Sequence, residues 1–294
     1  MKILLIGDIF AKPGRKTVAE ILPKLKSDEA IDLVIANVEN LHHGKGVSDS
    51  KAQELLNCGV DFMTGGNHIW KIQDIYEHMN KTEYPLIRPA NYPKEAPGSG
   101  MKLIRLKERK SQVVWADRVG GDLSKDLFED KKSKLILVIN LMGRVFMPGQ
   151  VDDPLRTADR LIQEANELGL ELGKNLQAII VDMHAETTSE KLALAYYLDG
   201  RVSAVYGTHT HVPTADQRVL PKGTAYQSDV GMTGVLNSMI GLQKEGIIQG
   251  MLTQMPTKHE VEEMGETYFN ALRVDIDDQT GLAVKVERIQ KFLN

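Results

Sequence analysis

Lys2-Ile3-Leu4-Leu5-Ile6-Gly7-Asp8 is the stretch on which the reading of the fold turns. A short apolar run stops at a glycine, and a carboxylate follows at once. The run reads as a buried strand, and the arrangement recurs four more times. Asp32–Asn37 leads to Glu39 and Asn40, and Val60–Thr64 leads to Asn67 and His68. Ala178–Met183 leads to His184, and Val202–Tyr206 leads to His209 and His211. A further strand is expected over Leu135–Asn140. Helices are expected over about 14–26, 49–58, 69–79, 155–168 and 191–198, the fourth from Leu161, Ile162, Ala165 and Leu168 at helical spacing. Strands alternating with helices predict a layered α/β fold. Near the C-terminus, 267–276 and 282–289 alternate with period two around Asp277-Asp278-Gln279-Thr280-Gly281, which predicts a hairpin and hence sheets of mixed direction. Pro85 to Gly100 reads as a loop. The stretch from about Leu106 to Lys134, with a weak strand at Val113–Val114 and Gly120-Gly121, reads as a surface excursion from a single domain spanning 1–294.

Composition narrows the function classes. Hydrophobic residues make up 42% and charged residues 26%, an ordinary globular balance that excludes a disordered or fibrous chain. The net charge of −4 argues against a nucleic-acid coat or a membrane-surface binder, while leaving room for a small anion held locally. One cysteine, Cys58, cannot form an internal disulfide and suits a reducing compartment. Apolar runs such as Leu135 to Ile139 fall far short of the ~20 residues of a membrane span. The chain therefore reads as a soluble cytoplasmic protein.

The polar residues at the strand ends carry the chemistry. In open α/β sheets ligands bind outside the carboxyl ends of the strands. Asp8, Glu39, Asn40, Asn67, His68, His184, His209 and His211 should therefore converge on one rim. Oxygen and imidazole ligands without thiolate suit Mn, Fe, Zn or Ni. Eight groups exceed the needs of one ion and fit a pair about 3.5–4 Å apart that shares a carboxylate. Glu39, on the middle of the first three strands, is the natural bridge. His209 and His211 are two apart, so an extended segment would point both the same way, one to each ion. Taken singly, Asn67 could be a helix N-cap, and any one histidine could be a satisfied polar residue. The joint arrangement at five strand ends favours metal. The glycine-rich loop His42-His43-Gly44-Lys45-Gly46 flanks this set and could contact a phosphate through backbone N–H groups. No P-loop and no nucleophile elbow is present.

The motifs resemble those of a known family. Gly66-Asn67-His68 and Gly207-Thr208-His209-Thr210-His211 resemble the third and last motifs of calcineurin-like metallophosphoesterases. The fuller set resembles the YmdB-like branch: Gly7-Asp8 with Gly14-Arg15, Asn37-Val38-Glu39-Asn40, Arg88-Pro89-Ala90-Asn91, Asp182 to Thr187, Pro221 to Tyr226 and Asp229-Val230-Gly231-Met232. Phe10 stands where the wider superfamily has histidine, Glu39 where it has a bridging aspartate, and Ala11 where the branch is expected to have glycine. The resemblance implies a four-layer α/β/β/α sandwich. It implies two divalent or trivalent ions per chain, iron or manganese. Asp8, Glu39, Asn40 and His211 would hold one ion, and Glu39, Asn67, His184 and His209 the other. His68 would be the catalytic histidine.

The implied activity is hydrolysis of 2′,3′-cyclic nucleotides by a homo-oligomer, with no stable nucleic-acid partner and no membrane. Two cations would make hydroxide available near neutral pH for attack on phosphorus, and His68 would act as general acid toward the leaving ribose oxygen. The alternatives are a phosphatase acting on phosphoproteins or phosphomonoesters, and a regulatory module whose turnover is incidental.

Overall fold

The computed structural model describes residues 1–117, 123, 126–130 and 132–294. The first half of the chain runs β1 (Lys2–Ile6), β2 (Asp8–Ile9), α1 (Ala11–Asp28), β3 (Leu33–Asn37), α2 (Asp49–Asn57), β4 (Phe62–Thr64), α3 (Ile75–Met79), β5 (Leu86–Ile87), β6 (Met101–Lys107), β7 (Lys110–Ala116) and α4 (Asp126–Glu129). The second half runs β8 (Lys134–Met142), α5 (Pro154–Glu167), β9 (Leu176–His184), α6 (Thr188–Tyr197), β10 (Ala204–Thr208), β11 (Arg218–Val219), β12 (Ala225–Gln227), β13 (Met232–Val235), α7 (Lys244–Thr253), β14 (Thr267–Ile276) and β15 (Ala283–Leu293).

Among the described residues these strands form two sheets, one of eight and one of seven. The first has the order β2-β13-β14-β1-β3-β4-β5, with β15 on β14, and the second has β11-β12-β10-β9-β8-β6-β7. Both are mixed: β1, β3 and β4 are parallel while β14 runs antiparallel to β1, and β8, β9 and β10 are parallel while β6 runs antiparallel to β8.

Strand periodicity builds the layers. Successive side chains of a strand point to opposite faces. In the first sheet Ile3, Leu5, Leu33 and Ile35 meet Ile136, Val138, Ala178 and Ile180 of the second, which makes the inter-sheet core. The alternate residues Leu4, Ile6, Val34 and Ala36 pack under Val18 and Leu22 of α1 and Leu55 of α2. On the far side Leu137, Ile139, Ile179 and Val181 pack under Ala158 and Leu161 of α5 and Leu194 of α6. Apolar on both faces, the central strands read as continuous runs, as parallel strands covered on both sides should. The result is the four-layer α/β/β/α sandwich. The helix α5 starts where Asp153 caps it, its Oδ1 accepting from the N–H groups of Leu155 and Arg156 at 3.0 Å each, with Pro154 in the first turn.

Two local expectations are corrected. Residues 69–74 form turns, and the helix expected over 69–79 is only Ile75–Met79. The backbone N–H of Lys71 closes a tight turn on the carbonyl of His68 at 2.9 Å, which directs the chain away from helix. Within the excursion expected at about 106–134, Lys110–Ala116 is the edge strand of the second sheet, paired along β6, with Leu106, Val113 and Trp115 buried. An edge strand exposes alternate positions, which explains its weak apolar signal. The Gly120-Gly121 part of that stretch lies outside the described residues. No helix among them is long and apolar enough to cross a membrane.

Candidate metal centre

The carboxyl ends of β3, β4, β9 and β10, together with β2, deliver all eight expected side chains to one place. Asp8, Glu39, Asn40, His184 and His211 are buried, and Asn67, His68 and His209 are half-buried. Glycine makes the approach possible at position 66. A Cβ there would lie 2.3 Å from His184 Nε2 and 2.4 Å from Glu39 Oε2.

The cluster has two halves. In one, His184 Nε2 lies 3.1 Å from Glu39 Oε1, 3.0 Å from Asn67 Oδ1 and 3.2 Å from His209 Nδ1. A single ring N–H can serve only one of these three acceptors, whereas a cation is served by all of them. The ligand atoms of Glu39, His184 and His209 all lie within 4.8 Å of one another, so this half fits a metal ion. In the other half, Asn40 Nδ2 lies 3.4 Å from Asp8 Oδ1 and 3.1 Å from His211 Nε2, and His211 Nε2 lies 3.7 Å from Asp8 Oδ1. Here the carboxylate and imidazole fit, but Asn40 presents its amide nitrogen. Holding a cation through Asn40 Oδ1 would require the amide to turn over, and that oxygen now faces His68 Nδ1 at 3.0 Å. Glu39 turns its Oε1 toward His184, and its Oε2 accepts the His68 backbone N–H at 2.8 Å.

Neighbouring groups fix which ring nitrogens face inward. Thr208 donates its one hydroxyl proton to Asp182 Oδ1 at 2.7 Å, so Thr208 Oγ1 accepts the Nδ1–H of His184 at 2.9 Å and leaves Nε2 for a ligand. His211 Nδ1 donates to the Ile240 carbonyl at 2.9 Å, which turns its Nε2 inward. His209 is reversed: its Nε2 pairs with Glu186 Oε2 at 3.1 Å and its Nδ1 faces the cluster. Asp182 is steadied by Thr64 Oγ1 and by Asn37 Nδ2 at 3.3 Å. Asp182 and Glu186 were given no role in the sequence reading, although Asp182 lies two residues before His184 on a strand and so shares its face.

The expectation that His209 and His211 share an extended segment is corrected. β10 ends at Thr208, and both histidines take left-handed backbone, φ 98° and 66°. A buried ion pair holds this turn. Asp229 Oδ2 accepts from Lys191 Nζ at 2.7 Å, from the Thr210 N–H at 3.1 Å and from the Thr210 hydroxyl at 2.8 Å. Neither Lys191 nor Asp229 could be placed from sequence, since they stand 38 residues apart. The N-cap reading of Asn67 also fails, because its side chain goes to His184 and the helix begins later. Phe10 fills its position by packing edge-on to the His211 ring, centroids 5.5 Å apart.

Charge is concentrated here. Burial would raise the Glu39 carboxyl, but His184 and His68 outweigh it and hold it at about 2. Burial would lower His184, but Glu39, Asp8 and Asp182 raise it to about 9. Burial, with His184 beside it, pushes His209 down to about 3, and burial lifts Asp182 to about 6. Without an ion, a proton on His184 neutralises Glu39.

A family model described as YmdB-like protein matches residues 4–121 and 123–289. The chain belongs to the YmdB-like family. It is 43% identical, over 98% of its own length and 96% of the relative's, to a protein of Bacillus subtilis (strain 168) named 2′,3′-cyclic-nucleotide 2′-phosphodiesterase. A solved structure of a hypothetical protein from Thermus thermophilus superposes with a TM-score of 0.80 at 37% identity, covering 99% of both chains. A novel phosphatase from Mycoplasma pneumoniae superposes with a TM-score of 0.81 at 32% identity, covering 99% of this chain and 93% of that one. The YmdB-like architecture thus extends over nearly the whole chain.

Proposed function

We propose that this protein is a metal-dependent phosphodiesterase that opens 2′,3′-cyclic nucleotides. The observation that carries the reading is the convergence of Glu39, Asn67 and His209 on His184 Nε2, with His68 beside the same carboxylate. The name of the 43% identical relative supports the substrate class. Asp8, Asn40 and His211 would hold one ion, Asn67, His184 and His209 the other, and Glu39 both. Iron or manganese suits these ligands. When bound, the ions supply Lewis acidity and hydroxide at neutral pH.

The chain's own residues supply the rest. Hydrolysis adds water across one P–O bond of the cyclic diester, leaving a monoester and a ribose hydroxyl. The departing oxygen needs a proton. His68 Nδ1 faces Glu39 Oε1 at 3.5 Å, so Nε2 is the nitrogen that holds a proton for the substrate. Burial holds the His68 pKa below its ordinary value, partly offset by Glu39, which stabilises the imidazolium that acts as acid. A homo-oligomer in a reducing cytoplasm completes the proposal.

His68→Ala should retain both ions by elemental analysis while hydrolysis of 2′,3′-cyclic AMP slows by ~10²–10⁴. Loss of an ion in that variant would make His68 a ligand. Comparing the wild-type protein on 2′,3′-cyclic AMP, 3′,5′-cyclic AMP and a phosphomonoester tests the substrate class. A preference for the monoester would replace this reading with that of a phosphatase.

A further inference from the structure

The loop after β8 leaves the sheet beside His184 and holds an exposed aromatic ring. The last residue of β8, Met142, pairs with His184, and the next N–H, of Gly143, donates to the His184 carbonyl at 2.9 Å. The loop therefore leaves the sheet next to a candidate ligand. Its base is clamped: Glu190 Oε1 accepts the Arg144 N–H at 2.8 Å, and Glu190 Oε2 accepts the Val145 N–H at 3.2 Å. Met147 is buried, and the return is tied down where the Asp152 N–H donates to the Asn91 carbonyl at 2.8 Å. Between these anchors Phe146 is 86% exposed at φ 61°, a conformation disfavoured for any residue with a Cβ. A loop pinned at both ends thus presents its one aromatic side chain to solvent.

A second aromatic group touches the last residue of β8. Tyr92 follows Asn91, whose Nδ2 bonds the Met142 carbonyl at 2.7 Å. Its hydroxyl points to Met142 Sδ at 3.5 Å, and its ring meets Trp70 edge-on with centroids 4.3 Å apart. Trp70 itself stands two residues beyond His68.

We propose that Phe146 is the platform on which the nucleobase of the cyclic nucleotide stacks, with the Tyr92–Trp70 pair as the adjoining wall. This rests on the phosphodiesterase reading above. Every base has a π-face, so an aromatic platform takes purines and pyrimidines alike and favours the larger ring. The cyclic phosphate lies over the cluster, the ribose spans the gap, and the base reaches the rim.

The test uses metal-loaded wild-type protein, Phe146→Ala and Phe146→Trp on 2′,3′-cyclic AMP, 2′,3′-cyclic UMP and ribose 2′,3′-cyclic phosphate, which has no base. In Phe146→Ala the preference for cyclic AMP over the base-free ester, as kcat/KM, should fall about 10–100-fold, through KM and at constant metal content. Cyclic UMP should lose less, and Phe146→Trp should restore the preference. An unchanged preference, or equal losses on cyclic AMP and the base-free ester, overturns the proposal. So does a lower sedimentation coefficient for Phe146→Ala, which would assign the ring to a contact between copies. If wild-type protein turns over none of the three, the phosphodiesterase reading fails separately. Tryptophan fluorescence of Phe146→Trp titrated with 2′,3′-cyclic AMP then still decides the stacking, and absence of added quenching relative to wild type overturns it.

Discussion

The two halves of the cluster are built by different means. Around His184 and His209 the support comes from side chains: Asp182, Thr208, Thr64, Asn37 and Glu186 fix the ring nitrogens. Around Asp8 and His211 it comes from backbone: the Ile240 carbonyl holds the His211 ring, and the His209 N–H donates to Asp8 Oδ2 at 3.1 Å. The first half already gathers acceptors around one point, while the second has an amide nitrogen between its carboxylate and its imidazole. Side-chain support can be removed one group at a time, and backbone support only by moving the chain. Point substitutions around the first half should therefore separate the two sites.

Glu39 is the exception, because in the proposal it would serve both halves. Glu39→Gln keeps an acceptor for the His68 N–H and removes the shared charge. Both ions should be lost or greatly weakened, and turnover should fall by ~10³ or more, since two cations lose their common carboxylate. Elemental analysis and a cyclic-nucleotide assay measure this. Two ions per chain at an unchanged rate would end the bridging role, and with it the division into halves.

The next effect should be confined to one half. Thr208→Val removes the group that accepts from His184 Nδ1 and donates to Asp182. Metal affinity at that half should drop about 10–100-fold, the usual effect of losing such a partner, while the Asp8 half keeps its ion. Under competition with a chelator the stoichiometry should fall toward one per chain. Glu186→Gln should cost less, about 10-fold or below, because the Glu186 side chain is 48% exposed and water can replace it on His209 Nε2. Equal loss of both ions in Thr208→Val would show that the halves do not act separately.

The same contrast explains what the sequence could reveal. The strand ends were legible because β1, β3, β9 and β10 are buried on both faces, so their apolar runs are unbroken and stop at polar residues. The eight candidate site residues followed from that pattern. Strands of two to four residues such as β2, β5, β11 and β13 are shorter than any periodicity can register. The left-handed turn at His209 and His211 was hidden because neither residue is glycine, the usual signal for positive φ. The Lys191–Asp229 pair and the Phe146 loop depend on contacts between distant segments, which no local pattern encodes.

The smallest expected effect lies in the backbone-built half. Ala11 opens α1 at φ 51° and donates its N–H to the Asn40 carbonyl at 2.9 Å, so the strained residue is tied directly to a candidate ligand. An L-residue in this conformation costs about 1–2 kcal/mol, and glycine removes that cost. Glycine in turn loses about 0.5–1 kcal/mol more backbone entropy on folding. The strain term is the larger, so Ala11→Gly should stabilise the protein by about 0.5–1 kcal/mol. For a chain of this length that is a rise in Tm of roughly 1–3 °C in a calorimetric scan. The bond to Asn40 uses a backbone N–H that glycine retains, so metal affinity in both halves should stay as in the wild type. A drop in affinity confined to the Asp8 half would mean instead that the strain at Ala11 sets the position of Asn40, and that the backbone of this half is tuned rather than merely tolerated.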